Sequence, residues 1–237
     1  MKKLAIIGTA INSLGLAPYN NDEYELWGLG GLYNAVNINE IGNFTRWFDI
    51  HTLEVIKAEI REYFEWYTTC PLPVYTQEVF SEIPTSVKYP LEIITSNFPR
   101  KYFNSTVDYM LALAIYEGYT YISLYGVDMA QDTEYKEQRP SCEYWCGYCD
   151  GAGINLYIPE QSSILKSLFL YGYEEPQTDK ARQEYTERLK ELDSRIAGVI
   201  LQEDIALINA GHLNLVKEKS YLLGCRDDAA YFLQQKT

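Results

Sequence analysis

A short aromatic and β-branched run, Tyr121 to Tyr125, constrains the fold more than any other stretch of the chain. Its length and composition are typical of a strand buried inside a sheet. The run stops at Gly126, and Asp128 follows two residues later. Because open α/β sheets bind their ligands at the carboxyl ends of strands, this stretch predicts a strand with a ligand contact at its end.

The segment that follows Asp128 is rich in large polar and aromatic side chains. It contains Tyr135, Arg139, Tyr144 and Trp145, which suit contacts with a charged or planar ligand. A packed structural loop is the alternative interpretation. We expect a loop here, and the residues alone leave both roles open.

The chain begins with a second candidate for a buried strand, Lys3 to Ile7, which runs directly into Gly8. Small and hydroxyl residues follow, among them Thr9, Asn12 and Ser13. A glycine directly after a strand allows a backbone turn whose N–H groups can meet a phosphate at a helix start. The segment is neither G-x-G-x-x-G nor a Walker motif, so nucleotide hydrolysis of the P-loop kind is not indicated.

A third strand, predicted over Thr45 to His51, carries Asp49 and His51 to its carboxyl end. Side chains two residues apart on a strand point to the same face, so this carboxylate and imidazole can share one cavity. Histidine suits proton transfer near neutral pH, and a neighbouring aspartate can orient it. The alternative is that Asp49 caps the next helix and His51 lies in its first turn.

The remaining patterns complete an α/β fold, a Rossmann-like and mostly parallel sheet flanked by helices. Tyr24 to Gly31 is a further strand that ends in glycines, including Gly30. Asn104 and Ser105 precede an apolar helix and either cap it or offer N–H groups to an anion. Other predicted elements are a helix over His51–Thr69, strands near Pro71–Tyr75, Leu91–Ile94 and Ile154–Ile158, and a short helix over Pro159–Leu170.

The composition changes from Asp179 onward, where apolar residues such as Leu189 and Ile196 follow a helical period. A second helix is predicted from Leu213 to Phe232. We therefore expect a nucleotide-binding domain over residues 1–175 and a helical hairpin over residues 176–237. The apolar stripe of the hairpin requires a partner, either its own domain or another subunit, and we expect a homo-oligomer.

Charge and hydropathy exclude several classes of protein. The formal net charge of −13 argues against a nucleic-acid binder, because such proteins cluster Lys and Arg along the phosphate backbone. The chain contains no long apolar run, and Met1 to Lys3 lead straight into the first strand. We expect a cytoplasmic protein without a membrane partner.

Three of the five cysteines, Cys142, Cys146 and Cys149, form a C-x3-C-x2-C spacing. Radical-SAM enzymes space their iron–sulfur ligands in this way, but their motif lies early in the chain. A zinc site needs a fourth ligand, and the two histidines are remote in sequence. We expect buried thiols, no metal and no cofactor.

The order of these motifs resembles the Rossmann-like fold of the family 42 sialyltransferases and their MptE-like relatives. The latter include 6-hydroxymethylpterin diphosphokinases and motility-accessory glycosyltransferases. The segment most similar to the sialyltransferases is Asn104 to Met129, and the resemblance covers roughly residues 1 to 170 without the hairpin. The pattern from Gln138 to Pro159 is also similar to small proteins encoded in tailed-phage genomes, so a phage origin is expected.

The resemblance implies roles for individual residues. It places Gly8, Asn12 and Ser13 on the phosphate side of a nucleotide, Asn104 and Ser105 on the donor sugar or phosphate, Gly126 and Asp128 on the base or ribose, and Tyr135 on the leaving phosphate. Thr9, Gly30, Arg139 and Tyr148 complete the predicted binding site. The catalytic histidine of the sialyltransferases falls at Tyr148 and one of their asparagines at Gly30, so Asp49 and His51 are the substitute candidates for proton removal.

Three hypotheses follow from the sequence. The first is a glycosyltransferase-like enzyme that moves a sugar from a nucleotide-sugar to an acceptor. The second is a non-catalytic protein that captures a nucleotide-like metabolite or signal, which the missing family histidine favours. The third is an assembly protein whose function lies in its C-terminal hairpin.

Overall fold

The computed structural model of the chain describes residues 3–36, 44–59, 61–129, 135–167, 170–174, 185–197 and 221–226. Seven parallel strands form one sheet: β1 Lys3–Ile7, β2 Tyr24–Leu29, β3 Phe44–Phe48, β4 Val74–Thr76, β5 Ser86–Lys88, β6 Tyr121–Tyr125 and β7 Asn155–Tyr157. The helices that accompany them are α1 Ile11–Leu14, α2 Leu53–Glu59, α3 Arg61–Thr69, α4 Leu91–Asn97, α5 Thr106–Tyr116 and α6 Tyr135–Gly151, and a 3-10 turn covers Gly30–Asn34. The predicted α/β class with a parallel sheet is confirmed.

The order of the strands is β5-β4-β3-β2-β1-β6-β7, and every neighbouring pair is parallel. The chain winds outward from β1 through β5 and then crosses to the other side of β1 to form β6 and β7. The direction of winding therefore reverses between β1 and β6. In open sheets of this kind, the crevice at the carboxyl ends of such a strand pair is the usual ligand site.

The two faces of the sheet carry separate cores, as β1 illustrates. Leu4 and Ile6 belong to the cluster that contains α5 and α6, whereas Ala5 and Ile7 belong to the cluster that contains the buried residues of α2 and α3. Alternate residues of a strand point to opposite faces, and all four side chains are fully buried. The near-continuous apolar run of β1 follows from burial on both faces.

Five local predictions were wrong or incomplete. Leu91–Ile94 was predicted as a strand, but these residues begin α4, in which Ile94 is buried while Leu91 and Ile93 face solvent. The edge strand β5, Ser86–Lys88, was missed, since its sequence is polar. The predicted helix His51–Thr69 forms two helices, α2 and α3.

The other two corrections concern the region after β6. Much of the segment that was predicted as a loop is helix α6, Tyr135–Gly151. The stretch Pro159–Leu170 was predicted to be helical, but its described residues form turns. The hydroxyls of Ser162 and Ser163 donate to the carbonyls of the residues that follow β6, as described below.

The chain divides into two compact units, Met1–Leu165 and Lys166–Thr237. In the second unit, residues 185–197 and 221–226 are helical. Leu192, Ile196, Leu222 and Cys225 form a small buried cluster there, and Arg226 donates to Asp193 at 2.8 Å. The predicted helix Leu213–Phe232 otherwise lies outside the described residues, and the boundary at residue 175 and the oligomer stay predictions. None of the described helices is long and apolar enough to span a bilayer.

Two glycines bring the carboxyl ends of β1 and β6 into backbone contact. Gly8 N–H donates to the carbonyl of Tyr125 at 2.8 Å, and Ala10 N–H donates to the carbonyl of Gly126 at 2.8 Å. A Cβ atom on Gly8 would collide with the carbonyl oxygen of Gly126, and one on Gly126 would collide with that of Gly8. Gly126 also has a φ of +62°, which favours glycine.

This contact predicts that Gly8→Ala destabilises the fold by about 1–3 kcal/mol, the usual cost of overpacking a rigid site. Gly15→Ala is the matched control, because no atom lies within 4 Å of the added methyl and the φ of Gly15 is −68°. Urea unfolding measures both free energies. Equal effects of the two substitutions would contradict the close approach of β1 and β6.

Candidate functional site

The crevice between β1 and β6 is built from two turns that support each other. Ser13 on α1 is buried, and its hydroxyl accepts a hydrogen bond from the N–H of Gly126 at 2.9 Å. Thr9 lies at the tip of the β1 turn and is exposed to solvent. Ser13 therefore has a structural role in shaping the crevice, and Thr9 is the accessible residue of the turn.

Asn12 and Asp128 meet across this crevice. The amide of Asn12 donates to Asp128 Oδ2 at 2.7 Å and to the carbonyl of Gln161 at 2.8 Å. The other carboxylate oxygen, Oδ1, accepts from the N–H of Ser163 at 2.7 Å. The structure thus brings together two residues predicted from distant parts of the sequence, but it bonds both of them to a third segment of the chain.

We call this third segment, residues 161–165, the strap. Ser162 Oγ donates to the carbonyl of Val127 and Ser163 Oγ to the carbonyl of Asp128, both at 2.7 Å. On the other side, Arg139 Nη2 donates to the carbonyl of Ser163 at 2.7 Å, and Leu165 N–H donates to Glu143 at 3.0 Å. The strap crosses the carboxyl end of β6 and joins it to α6.

The N-terminus of α5 is capped by its own residues. Ser105 accepts from the N–H of Asp108, and Asp108 Oδ2 accepts from the N–H groups of Asn104 at 2.7 Å and Ser105 at 2.9 Å. Ser141 donates to the same oxygen at 2.7 Å. Asp108 is fully buried, and this burial raises the pKa of its carboxyl group. A carboxyl group of the chain therefore occupies the position that we predicted for an anion. We had predicted either a helix cap or an anion site here, and the observed geometry is that of a cap.

Asp49 and His51 follow β3 and lie in direct contact. The Nδ1 atom of His51 is 2.6 Å from Asp49 Oδ1, and the side chain of His51 is 54% exposed whereas that of Asp49 is 7% exposed. An ionised carboxylate only accepts hydrogen bonds, so this contact places a proton on Nδ1. In the neutral ring, Nε2 then carries the lone pair that can accept a proton.

Sequence reasoning missed the second partner of Asp49. The hydroxyl of Tyr67, on α3, donates to Asp49 Oδ2 at 2.6 Å. Tyr67 is fully buried. No local signal marked it, because it lies within an aromatic helix 18 residues from its partner.

Gly30 lies at the end of β2, between the crevice and the Asp49–His51 pair in strand order. Its φ is +47°, and its carbonyl accepts from Trp47 Nε1 at 3.1 Å. This φ favours glycine. As a glycine, it adds no polar side chain at this edge of the sheet.

Two predicted residues fall elsewhere. Tyr135 begins α6, and its side chain lies outside the described residues. Tyr148 lies near the end of the same helix, where its ring packs against Phe98 and Trp145 at centroid distances of 5.3 and 5.8 Å. It lines a groove of about 590 Å³ along α6 with Tyr144 and Gly147. The structure does not bring Tyr148 together with the crevice, since no residue of the β1 or β6 turns lines this groove.

The three clustered cysteines lie on the inner face of α6. Cys142, Cys146 and Cys149 are fully buried free thiols. Burial raises the pKa of Cys149 to about 12, and the neighbouring Cys146 together with burial raises that of Cys142. Among the described residues, no group of three His, Cys, Asp or Glu side chains is arranged to hold a metal ion.

No protein-family model matches the sequence, and no curated protein matches it. Solved structures of the sialyltransferase CstII from Campylobacter jejuni resemble the chain. The complex with the substrate analogue CMP-3FNeuAc has a TM-score of 0.44 and 17% identity over 67% of this chain and 81% of that chain. The complex with cytidine-5'-monophosphate has a TM-score of 0.44 and 16% identity over 76% and 96%. A complex of CST-II with a trisaccharide acceptor and CMP has a TM-score of 0.41 and 17% identity over 71% and 89%.

The strap geometry predicts that Asp128→Asn loosens residues 161–165. The carboxylate accepts two hydrogen bonds, from Ser163 N–H and Asn12, whereas the single oxygen of an asparagine can accept only one of them at this geometry. Loss of one bond to a charged group predicts that the amide of Ser163 exchanges with solvent about tenfold faster. Hydrogen–deuterium exchange measured by mass spectrometry tests this.

Glu160→Gln is the matched control for this substitution, since Glu160 is an exposed carboxylate next to the strap. Its exchange profile should equal that of the unaltered protein. Identical protection in the Asp128→Asn variant would show that the strap is held by its serine and arginine contacts alone.

Proposed function

We propose that the chain transfers a sugar from a nucleotide-sugar to an acceptor, with the nucleotide at the crevice between β1 and β6. The observation that carries the proposal is the Asp49–His51 pair. It combines a buried carboxylate, a 2.6 Å contact to Nδ1 and a ring that is half exposed at the carboxyl edge of the sheet. This is the arrangement of a general base that is oriented by a carboxylate.

The reaction needs one proton acceptor. In the proposed step, Nε2 of His51 takes the proton of the acceptor hydroxyl, and the oxygen forms a bond to the anomeric carbon of the donor. The bond between that carbon and the phosphate oxygen breaks, and the electron pair leaves with the phosphate. Asp49 stabilises the positive charge that develops on the ring of His51.

Two features support a nucleotide in the crevice. The first is the reversal of strand order at β1 and β6, where open sheets bind ligands. The second is the sequence resemblance between Asn104–Met129 and the family 42 sialyltransferases. Because Asn12, Asp128 and Arg139 bond to the strap, we assign the first contacts with the nucleotide to the accessible turn that contains Thr9.

A second candidate function is capture of a nucleotide without turnover. The observation that favours it is Tyr148 on α6, which takes the position of the catalytic histidine in the resembling family and packs against Phe98. In this case His51 would be a surface residue, and a bound nucleotide would be released unchanged.

The proposal predicts that His51→Gln keeps nucleotide binding but lowers the rate of nucleotide release from the donor by about 10²–10⁴, the usual contribution of a general base. Native mass spectrometry of the purified protein detects bound nucleotide. Incubation with a panel of nucleotide-sugars then measures release. His212→Gln replaces the other histidine of the chain and is the matched control.

The outcomes separate the two functions. Release that falls only in His51→Gln supports the transferase. Binding without release, unchanged in His51→Gln, leaves capture alone. If the protein binds no nucleotide and releases none from any donor, both proposals fail.

A further inference from the structure

Tyr67 joins the Asp49–His51 pair from the core of the protein. We infer that Tyr67 is a positioning residue, which holds the carboxylate of Asp49 so that Asp49 fixes the ring of His51. The effect of Tyr67 on catalysis rests on the proposed function. Its effect on the ring of His51 can be tested independently of that function.

The first step concerns the carboxylate, which needs partners at both oxygens. The side chain of Asp49 is 7% exposed, and a buried charge is costly unless hydrogen bonds replace its water. Oδ1 accepts from His51, through Nδ1 at 2.6 Å and the backbone N–H at 3.3 Å. Oδ2 accepts from the hydroxyl of Tyr67 at 2.6 Å.

The second step concerns Tyr67, whose hydroxyl is the donor in the bond to Asp49. Burial, followed by the charge of Asp49, raises the pKa of its phenol well above the ordinary value. The hydroxyl therefore keeps its proton and donates a hydrogen bond to Oδ2 of Asp49. The ring belongs to the buried cluster of its sheet face and contacts Trp66 edge-on at 5.3 Å. Tyr67 is a rigid support because α3 and the core fix its ring.

The third step concerns the backbone of Asp49, which is fixed as well. Its N–H donates to the carbonyl of Tyr75 on β4 at 2.9 Å. The side chain can still rotate about its two torsions, of which the last is broad for aspartate. The bond from Tyr67 opposes this rotation. The aligned Oδ1 then keeps the proton on Nδ1 of His51 and leaves Nε2 as the basic atom.

A solvent-facing histidine makes this support necessary. Because the side chain of His51 is 54% exposed, the surrounding core does not fix the orientation of its ring by packing alone. A carboxylate that rotates would leave the ring free to exchange its two neutral tautomers. The hydroxyl of Tyr67 thus links the core to the tautomer of an exposed side chain.

The experiment compares Tyr67→Phe with Tyr89→Phe. Both remove one buried hydroxyl, and the hydroxyl of Tyr89 donates to the carbonyl of Tyr109 at 2.9 Å in the other core cluster. The full chain is labelled with ¹⁵N-histidine, and the ring nitrogen shifts are recorded at a pH where the imidazole is neutral. The chain has two histidines, so His212→Gln assigns the signals.

We expect the signal of His51 to report the Nδ1–H tautomer in the unaltered protein and in Tyr89→Phe, and a mixture of tautomers in Tyr67→Phe. In the transfer assay, kcat should fall roughly tenfold or more in Tyr67→Phe with KM unchanged, as for loss of a hydrogen bond to a charged group. Asp49→Asn, which keeps the shape of the side chain, should produce the same mixture.

Two results overturn the inference. One is an unchanged tautomer in Tyr67→Phe, which would leave Tyr67 with a packing role only. The other is the same change in Tyr89→Phe, which would show a general effect of lost core bonds. If the tautomer responds to Tyr67 but no donor is consumed, the proposed function fails while the positioning role stands.

Discussion

The backbone contact between Gly8 and Gly126 is the constraint on which the rest of the structure depends. The two residues end β1 and β6, the pair of strands at which the winding of the sheet reverses. Neither position has room for a Cβ atom, so the two turns approach more closely than side chains would allow. Ser13 then bonds to Gly126, and Asn12 reaches Asp128 across the crevice.

Two polar networks lie at the carboxyl edge of the sheet, and they differ in where they end. The network of Asn12 and Asp128 ends in the strap, where Asn12 donates to Gln161 and Asp128 accepts from Ser163. The network of Tyr67, Asp49 and His51 runs from the core to a half-exposed ring. A histidine ring that is half exposed to solvent can exchange a proton with a bound molecule. For this reason the second network carries the proposed chemistry.

Several motifs that suggested ligands in the sequence are used by the fold itself. At the start of α5, the N–H groups of Asn104 and Ser105 bond to Asp108, which occupies the position of an anion. The cysteines of α6 pack inward, where burial raises the pKa of Cys149 and disfavours its thiolate. Arg139 bonds to Glu143 on its own helix and to the strap. In each case a neighbour in space, absent from the local sequence, decides the role.

The sequence by itself determined the parallel α/β class, the strands β1, β2, β3, β4, β6 and β7, and the glycines that follow β1, β2 and β6. Burial on both faces leaves an apolar run that is visible without a structure, as in Lys3–Ile7 and Tyr121–Tyr125. The contact between Asp49 and His51 could also be predicted from the sequence, because the two residues are only two positions apart. The polar edge strand β5 and the helices α4 and α6 could not be predicted from the sequence, since their patterns are short or irregular.

Only the tertiary structure decided which predicted site residues meet each other. Tyr67 lies on a helix that follows β3, and its contact with Asp49 depends on how α3 packs against the sheet. The strap reaches Asp128 from 35 residues away, and Tyr148 is carried to the far part of α6. Such contacts join segments whose separation along the chain leaves no periodic signal, so the packing of helices on the sheet determines them.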